Sequence, residues 1–232
     1  MRCPEGPLWL AALVGSWLAS LAAFSLWPGI DLWVSGLFHT PEEGFWLARS
    51  PVANALRSAV WHCSQAMVGL AAVALGLAAA RRPVSGFGAR PAVFVLALYM
   101  FGPGLVVDFG LKDHWGRARP ATVAEFGGGQ EFTPAFLPAD QCDRNCSFVS
   151  GEGAAATALA LSMAVAAPAV RAAVPVALYR LFLVLAVAAP ATGIALRVLM
   201  GRHFLSDTVV AMLIVTTIAF ALCRLLRGPR VA

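Results

Sequence analysis

Lys112 is the only lysine in the chain, and it opens a polar cluster that reads Lys112-Asp-His-Trp-Gly-Arg-Ala-Arg119-Pro120. Two further clusters follow at a distance: Ser150-Gly151-Glu152, and Arg197-Val-Leu-Met-Gly-Arg-His203-Phe-Leu-Ser-Asp207. Each sits at the end of an apolar run. His203 and Asp207 are four residues apart, so on a helix they share one face, a turn apart. A carboxylate that accepts a hydrogen bond from one imidazole nitrogen fixes the tautomer and leaves the other nitrogen nucleophilic. Ser150 precedes an alanine-rich run, where it is a natural N-cap. The helix it would start presents free N–H groups and a positive dipole end to an anion. Gly151 lets a ligand oxygen come close to the backbone. Lys112 and Arg119, with Pro120 ending any helix, can aim at one phosphate, one as a point charge and one as a planar fork. Arg197 ends an apolar run on the same side. Each cluster alone has an ordinary explanation: a helix-edge histidine, a cap, a snorkelling pair. Jointly they describe a phosphate clamp with a nucleophile.

The elements that must position these groups are membrane helices. The chain has 232 residues, 59% hydrophobic and 12% charged, with a mean hydropathy of +0.76. A soluble domain carries about twice that charged fraction. Apolar runs near 8–27, 60–80, 91–111, 152–170, 174–196 and 205–226 each have the ~20 residues needed to cross a bilayer. Pro168, Pro175 and Pro190 soften the limits of the fourth and fifth. The expected fold is an all-α, six-helix transmembrane bundle forming a single domain over 1–232. The first run has some features of a signal peptide, but Glu5 and its continuation through Trp27 favour a retained helix. The 28–59 stretch is expected to be a connecting loop with aromatic anchors rather than a short interfacial helix, and 121–147 a long outer loop. The net charge of +5 comes without a basic run or interleaved aromatics, so no nucleic-acid partner is expected.

Arginine placement sets the orientation. Arg2, Arg81, Arg82, Arg90, Arg171, Arg180, Arg224, Arg227 and Arg230 all fall on one side of a six-span bundle, which is then cytoplasmic. The three clusters fall on the other side, the periplasmic face of a bacterial inner membrane. In that oxidising compartment Cys142 and Cys146 can pair if the backbone turns tightly, or remain two thiols. Cys3, Cys63 and Cys223 are expected to stay reduced, and no cysteine–histidine spacing matches a zinc site.

The three clusters resemble the signature of the type-2 phosphatidic acid phosphatase superfamily, K-x6-R-P, then P-S-G-H, then S-R-x5-H-x3-D. The first matches at Lys112, Arg119 and Pro120. The third matches at Arg197, His203 and Asp207, with Leu196 where serine is usual. The second matches at Ser150 and Gly151 only, with Val149 for proline and Glu152 for histidine. The resemblance implies that His203 attacks phosphorus and forms a phosphohistidine, and that Asp207 orients it. Lys112, Arg119, Arg197, Ser150 and Gly151 then bind the phosphoryl oxygens, with no metal or cofactor. Phosphoryl transfer asks mainly for positioning and charge stabilisation, which fixed cations supply.

Glu152 replaces the family's proton donor and leaves three readings open. It protonates the leaving oxygen, or it orders the hydrolytic water, or the leaving group is good enough to need little help. His114 is a fallback donor. The implied activity is a metal-independent lipid phosphatase. Its candidate substrates are phosphatidate-like lipids, phosphatidylglycerol phosphate, undecaprenyl diphosphate and lipid A phosphates. The alternatives are a lipid phosphotransferase and a non-catalytic lipid-phosphate binder or flippase. Oligomeric state leaves no signal in the sequence.

Overall fold

The computed structural model describes residues 7–84 and 86–227. Arg2, Cys3, Glu5 and Arg230, which entered the expectations above, lie outside the described residues. Among the described residues there are seven α-helices: α1 Pro7–Leu26, α2 Gly29–Gly36, α3 Pro51–Ala79, α4 Ala89–Tyr99, α5 Gly151–Ala173, α6 Val176–Leu199 and α7 Leu205–Leu225. A π-wound segment, Met100–Lys112, continues α4 and carries Pro103. With that extension, six helices are long and apolar enough to cross a membrane. Among the described residues there is no strand, only isolated bridges.

Two expectations about the helices change. The second span begins at Pro51, not near 60. Ser50 caps it by accepting the Ala53 N–H at 3.3 Å, and proline suits the first helical position. Hydropathy missed this turn because Asn54 and Arg57 interrupt the apolar run. The 28–59 stretch, in turn, is not merely a loop, because it contains α2. This helix buries Asp31 and Ser35 against the bundle, and an amphipathic piece of eight residues is too short to register as a span.

Helix α5 is the central element and packs against α3, α4, α6 and α7. Its Ala154, Ala155, Ala156 and Ala158 are all buried. Small side chains let helices in lipid approach closely. At Gly193 of α6, an added Cβ would fall 2.7 Å from Val60 Cγ1 of α3. Outward on α6, Leu178, Val184 and Val187 are 55%, 62% and 71% exposed, as a lipid-facing surface requires. Pro168 and Pro190 lie inside α5 and α6 without ending them.

The start of α3, the end of the π-wound segment, the start of α5, the end of α6 and the start of α7 gather at one end of the bundle. Arg81, Arg82, Arg90, Arg171, Arg180, Arg224 and Arg227 fall at the opposite helix ends. The long connection from α4 to α5 is pinned at the site end: Ala121 N–H donates to Gly201 O at 3.0 Å, and Cys146 N–H to Lys112 O at 3.0 Å. Cys142 and Cys146 form a disulfide in it. Cys63 is free and exposed. Cys223 is disulfide-bonded, contrary to expectation; its spacing to other cysteines carries no pairing signal, because proximity there is set by the fold.

Candidate active site

The converging helix ends enclose an open cavity of about 390 Å³. Lys112, Arg119, Gly151, Glu152, Arg197 and His203 line it, so all three sequence clusters meet on one wall. Five cations, Arg57, Lys112, Arg119, Arg197 and Arg202, face two carboxylates, Asp108 and Glu152. That excess of positive charge suits a phosphate.

His203 sits on the tight turn between α6 and α7. Gly201 makes the turn with φ +63°, and a Cβ there would collide with the Phe45 ring. His203 N–H donates back to Arg197 O at 3.0 Å, which ties the histidine to the end of α6. Its ring is 1% exposed. Nδ1 lies 2.7 Å from the carbonyl oxygen of Ser147. A carbonyl can only accept, so Nδ1 carries the proton and Nε2 is left for a ligand. Burial, aided by Arg197 and Arg119 and opposed by Asp207, pulls the imidazole pKa down to about 4. At neutral pH the ring is uncharged, which is its nucleophilic form.

Asp207 acts at one remove. Its Oδ2 is 3.8 Å from His203 Nδ1, beyond hydrogen-bond length. Instead Oδ2 accepts from Ser147 Oγ at 2.5 Å and from Phe204 N at 2.8 Å. Thus Asp207 braces the Ser147 segment, and the Ser147 carbonyl holds the imidazole. Oδ1 accepts from Arg117 at 2.6 Å.

The clusters are joined by specific contacts. A Cβ built on Gly151 would lie 3.2 Å from Lys112 Nζ, so the ammonium rests beside the start of α5. Lys112 donates to Asn145 Oδ1 at 2.9 Å, and Arg119 to the Asn145 carbonyl at 2.7 Å and Oδ1 at 3.1 Å. Asn145, with φ 52° inside the disulfide loop, therefore holds both cations in place. Glu152 accepts three contacts from Arg57, at 2.6, 2.8 and 3.2 Å, and pairs with Arg197 at 3.2 Å. Both its oxygens are engaged by guanidinium donors, an arrangement that makes it a counter-ion tying α3 to α6.

Ser150 is fully buried and does not line the cavity; its Oγ accepts the Gly153 N–H at 3.1 Å as the cap of α5. His114 is also off the wall, with Nδ1 3.1 Å from Gly110 O. Sequence reasoning missed Asn54, Arg57, Asn145 and Arg202 on the wall, and Asp31 and Arg117 behind it. Arg117 carried one signal: it sits inside the first cluster between Gly116 and Ala118, and an arginine that packs inward needs a carboxylate. The others are single polar residues with no motif around them. No group of three or more metal-ligating acids, histidines or cysteines occurs among the described residues.

Residues 88–229 match the sequence model of the PAP2 superfamily. The chain is 34% identical over 154 residues to a lipid A 4'-phosphatase of Rhizobium leguminosarum, covering 60% of this chain and 66% of that protein. It is 33% identical over 159 residues to the protein of the same name from Rhizobium etli, covering 62% of each. Over 64 residues it is 52% identical to a lipid A 4'-phosphatase of Francisella tularensis subsp. novicida, covering 27% of this chain and 29% of that one. The chain thus spans less than two thirds of the length of each of these curated relatives. No solved structure matches it. The family match extends from the turn before α4 to the end of α7 and contains all three clusters, and the chain belongs to the PAP2 superfamily.

Proposed function

We propose that the protein is a metal-independent membrane lipid phosphatase that removes a phosphate monoester from a lipid A-type glycolipid through a phosphohistidine at His203. The observation that carries this reading is a buried, uncharged imidazole whose Nδ1 is fixed by Ser147 and whose ring lines a cavity walled by five cations. The names of the relatives favour lipid A among the candidate lipids.

In the reaction, Lys112, Arg119, Arg197 and the Gly151 N–H hold the non-bridging oxygens. His203 Nε2 attacks phosphorus, the ester P–O bond breaks, and the sugar oxygen leaves with a proton drawn from water in the open cavity. A second water then cleaves the P–N bond, the hydroxide left by the first takes up its proton, and inorganic phosphate is released. Glu152 fixes Arg57 and Arg197 as their counter-ion. The arginine bias of the opposite helix ends supports a periplasmic active site.

The test uses detergent-purified protein in metal-free buffer with chelator. It is offered lipid A, phosphatidate, phosphatidylglycerol phosphate and undecaprenyl diphosphate, and free phosphate is measured. Release from lipid A that His203→Ala abolishes is the expected result. Undiminished release by His203→Ala refutes the mechanism. Transfer of phosphate to another lipid without free phosphate identifies a phosphotransferase, and binding without turnover a lipid-phosphate binder.

A further inference from the structure

Behind His203 lies a charge network outside the cavity wall. Asp31 of α2, Arg117 of the α4–α5 connection, and Ser206 and Asp207 of α7 are each at most 1% exposed. Arg117 is the hub. It pairs with Asp207 Oδ1 at 2.6 Å and Asp31 Oδ2 at 2.8 Å, and donates to Ser206 Oγ at 2.8 Å and Thr133 O at 2.8 Å. Its own carbonyl accepts the Ser147 N–H at 2.9 Å. The Phe204 ring lies 4.4 Å from its guanidinium carbon.

Burial, aided by Asp207, pushes the Asp31 pKa up, and Arg117 and Ser206 oppose that rise. Ser206 N–H donates to Oδ1 at 2.9 Å. The Ser206 hydroxyl accepts a hydrogen bond from Arg117 and donates its own to Asp31 Oδ2. Arg117 and the Ser206 N–H can only donate to this carboxylate, which favours its ionised form.

Two carboxylates therefore flank one guanidinium. For stability alone this is a poor investment, because buried ions cost about as much to desolvate as their pairing returns. Its placement suggests a different use. With Asp207 and Arg117 alone, the charges would cancel. With Asp31 ionised as well, the network carries a net negative charge next to His203, whose ring becomes cationic as Nε2 bonds to phosphorus. The charged groups on the cavity wall beside the ring are mostly positive: Arg57, Lys112, Arg119, Arg197 and Arg202, with Asp108 and Glu152 opposing them.

We propose that Asp31 and Arg117 are positioning residues for the phosphoryl-transfer step. Arg117 fixes Asp207 and the Ser147 segment that hold the Nδ1–H form of His203. Asp31 offsets Arg117, so that the emerging imidazolium meets a net negative charge. The proposal deepens the phosphatase reading and rests on it.

The test combines kinetics with a signal that needs no turnover. The detergent-purified full chain is labelled with 15N-histidine, and the His203 resonances are identified by their loss in His203→Gln. Wild-type protein at neutral pH is expected to show one His203 tautomer, protonated at Nδ1. In Asp31→Asn, kcat on lipid A is expected to fall about tenfold or more with KM within about twofold. Its His203 ring is expected to become a mixture of tautomers, and Asp31→Glu to restore both readouts. A folded Asp31→Asn with unchanged kcat and one tautomer overturns the proposal, as does a loss confined to KM. If Asp31→Asn does not fold, the double variant Asp31→Asn/Arg117→Gln decides, since it removes both ions of the inner pair. A tenfold fall in its kcat at constant KM supports the proposal, and wild-type kcat overturns it. If wild-type protein releases no phosphate from any lipid, the phosphatase reading fails, while the tautomer comparison still decides the positioning claim.

Discussion

Replacing Glu152 by glutamine separates a counter-ion from a proton donor. The carboxylate meets Arg57 at 2.6, 2.8 and 3.2 Å and Arg197 at 3.2 Å. Side-chain exposure is 34% for Arg57, 23% for Glu152 and 6% for Arg197, so the cluster lies between surface and core. Exposed pairs are worth about 0–1 kcal/mol, and breaking buried ones costs about 3–5 kcal/mol. An intermediate value of about 1.5–2.5 kcal/mol is expected here, or roughly 10- to 70-fold in kcat/KM. The sign follows from geometry: without the anion, Arg57 and Arg197 repel and leave their places on the wall. The assay is phosphate release from lipid A by wild type, Glu152→Gln, Arg57→Gln and the double variant. If Glu152 works through Arg57, the two losses overlap, and the double variant is little worse than either single one, with a coupling of about 1 kcal/mol or more. A general acid predicts something else. Its loss would add to that of Arg57, and would shrink for a substrate whose leaving group needs no proton. Additive losses, together with near-normal turnover of undecaprenyl diphosphate by Glu152→Gln, would refute the counter-ion reasoning.

Two further predictions follow from the site. Because burial lowers the His203 pKa from 6.5 to about 4, protonation removes the nucleophile only as pH falls through about 4. The acid limb of kcat/KM, corrected for the substrate's own ionisation near pH ~6, is expected there, and a limb at the solution value of imidazole would show that the ring is not desolvated. Ser150→Ala removes the α5 cap and is expected to cost about 1 kcal/mol, seen as a lower melting temperature in detergent with KM within about twofold. A tenfold rise in KM would place the hydroxyl on the substrate instead.

The sequence made some of this legible for physical reasons. Apolar runs of bilayer length reveal six spans because hydropathy integrates over ~20 residues. The same averaging hid the polar first turns of α3 and the eight residues of α2. Lys112, Arg119, Arg197 and His203 were readable because each belongs to a polar cluster set at the end of an apolar run. Arg57 was not, because a lone arginine near a helix start looks like an ordinary interfacial anchor. Asn145 was invisible for a different reason: its contribution depends on a left-handed backbone inside a disulfide loop, and on two cations that arrive from distant positions.

Spacing also misled where it was most suggestive. A spacing of four from His203 to Asp207 implies a shared helical face, yet α7 begins at Leu205, so His203 lies on the turn and not on the helix. The carboxylate consequently reaches the Phe204 N–H and the Ser147 hydroxyl first, and the imidazole turns to the Ser147 carbonyl. Residue identity thus pointed to the participants, but the position of the helix start decides who bonds to whom. Orientation of His203 then depends on the connection from α4 to α5 as much as on α7, because Ser147 N–H is held by the Arg117 carbonyl. A change anywhere along Arg117–Ser147–Asp207 is therefore transmitted to the ring, even though none of the three lines the cavity.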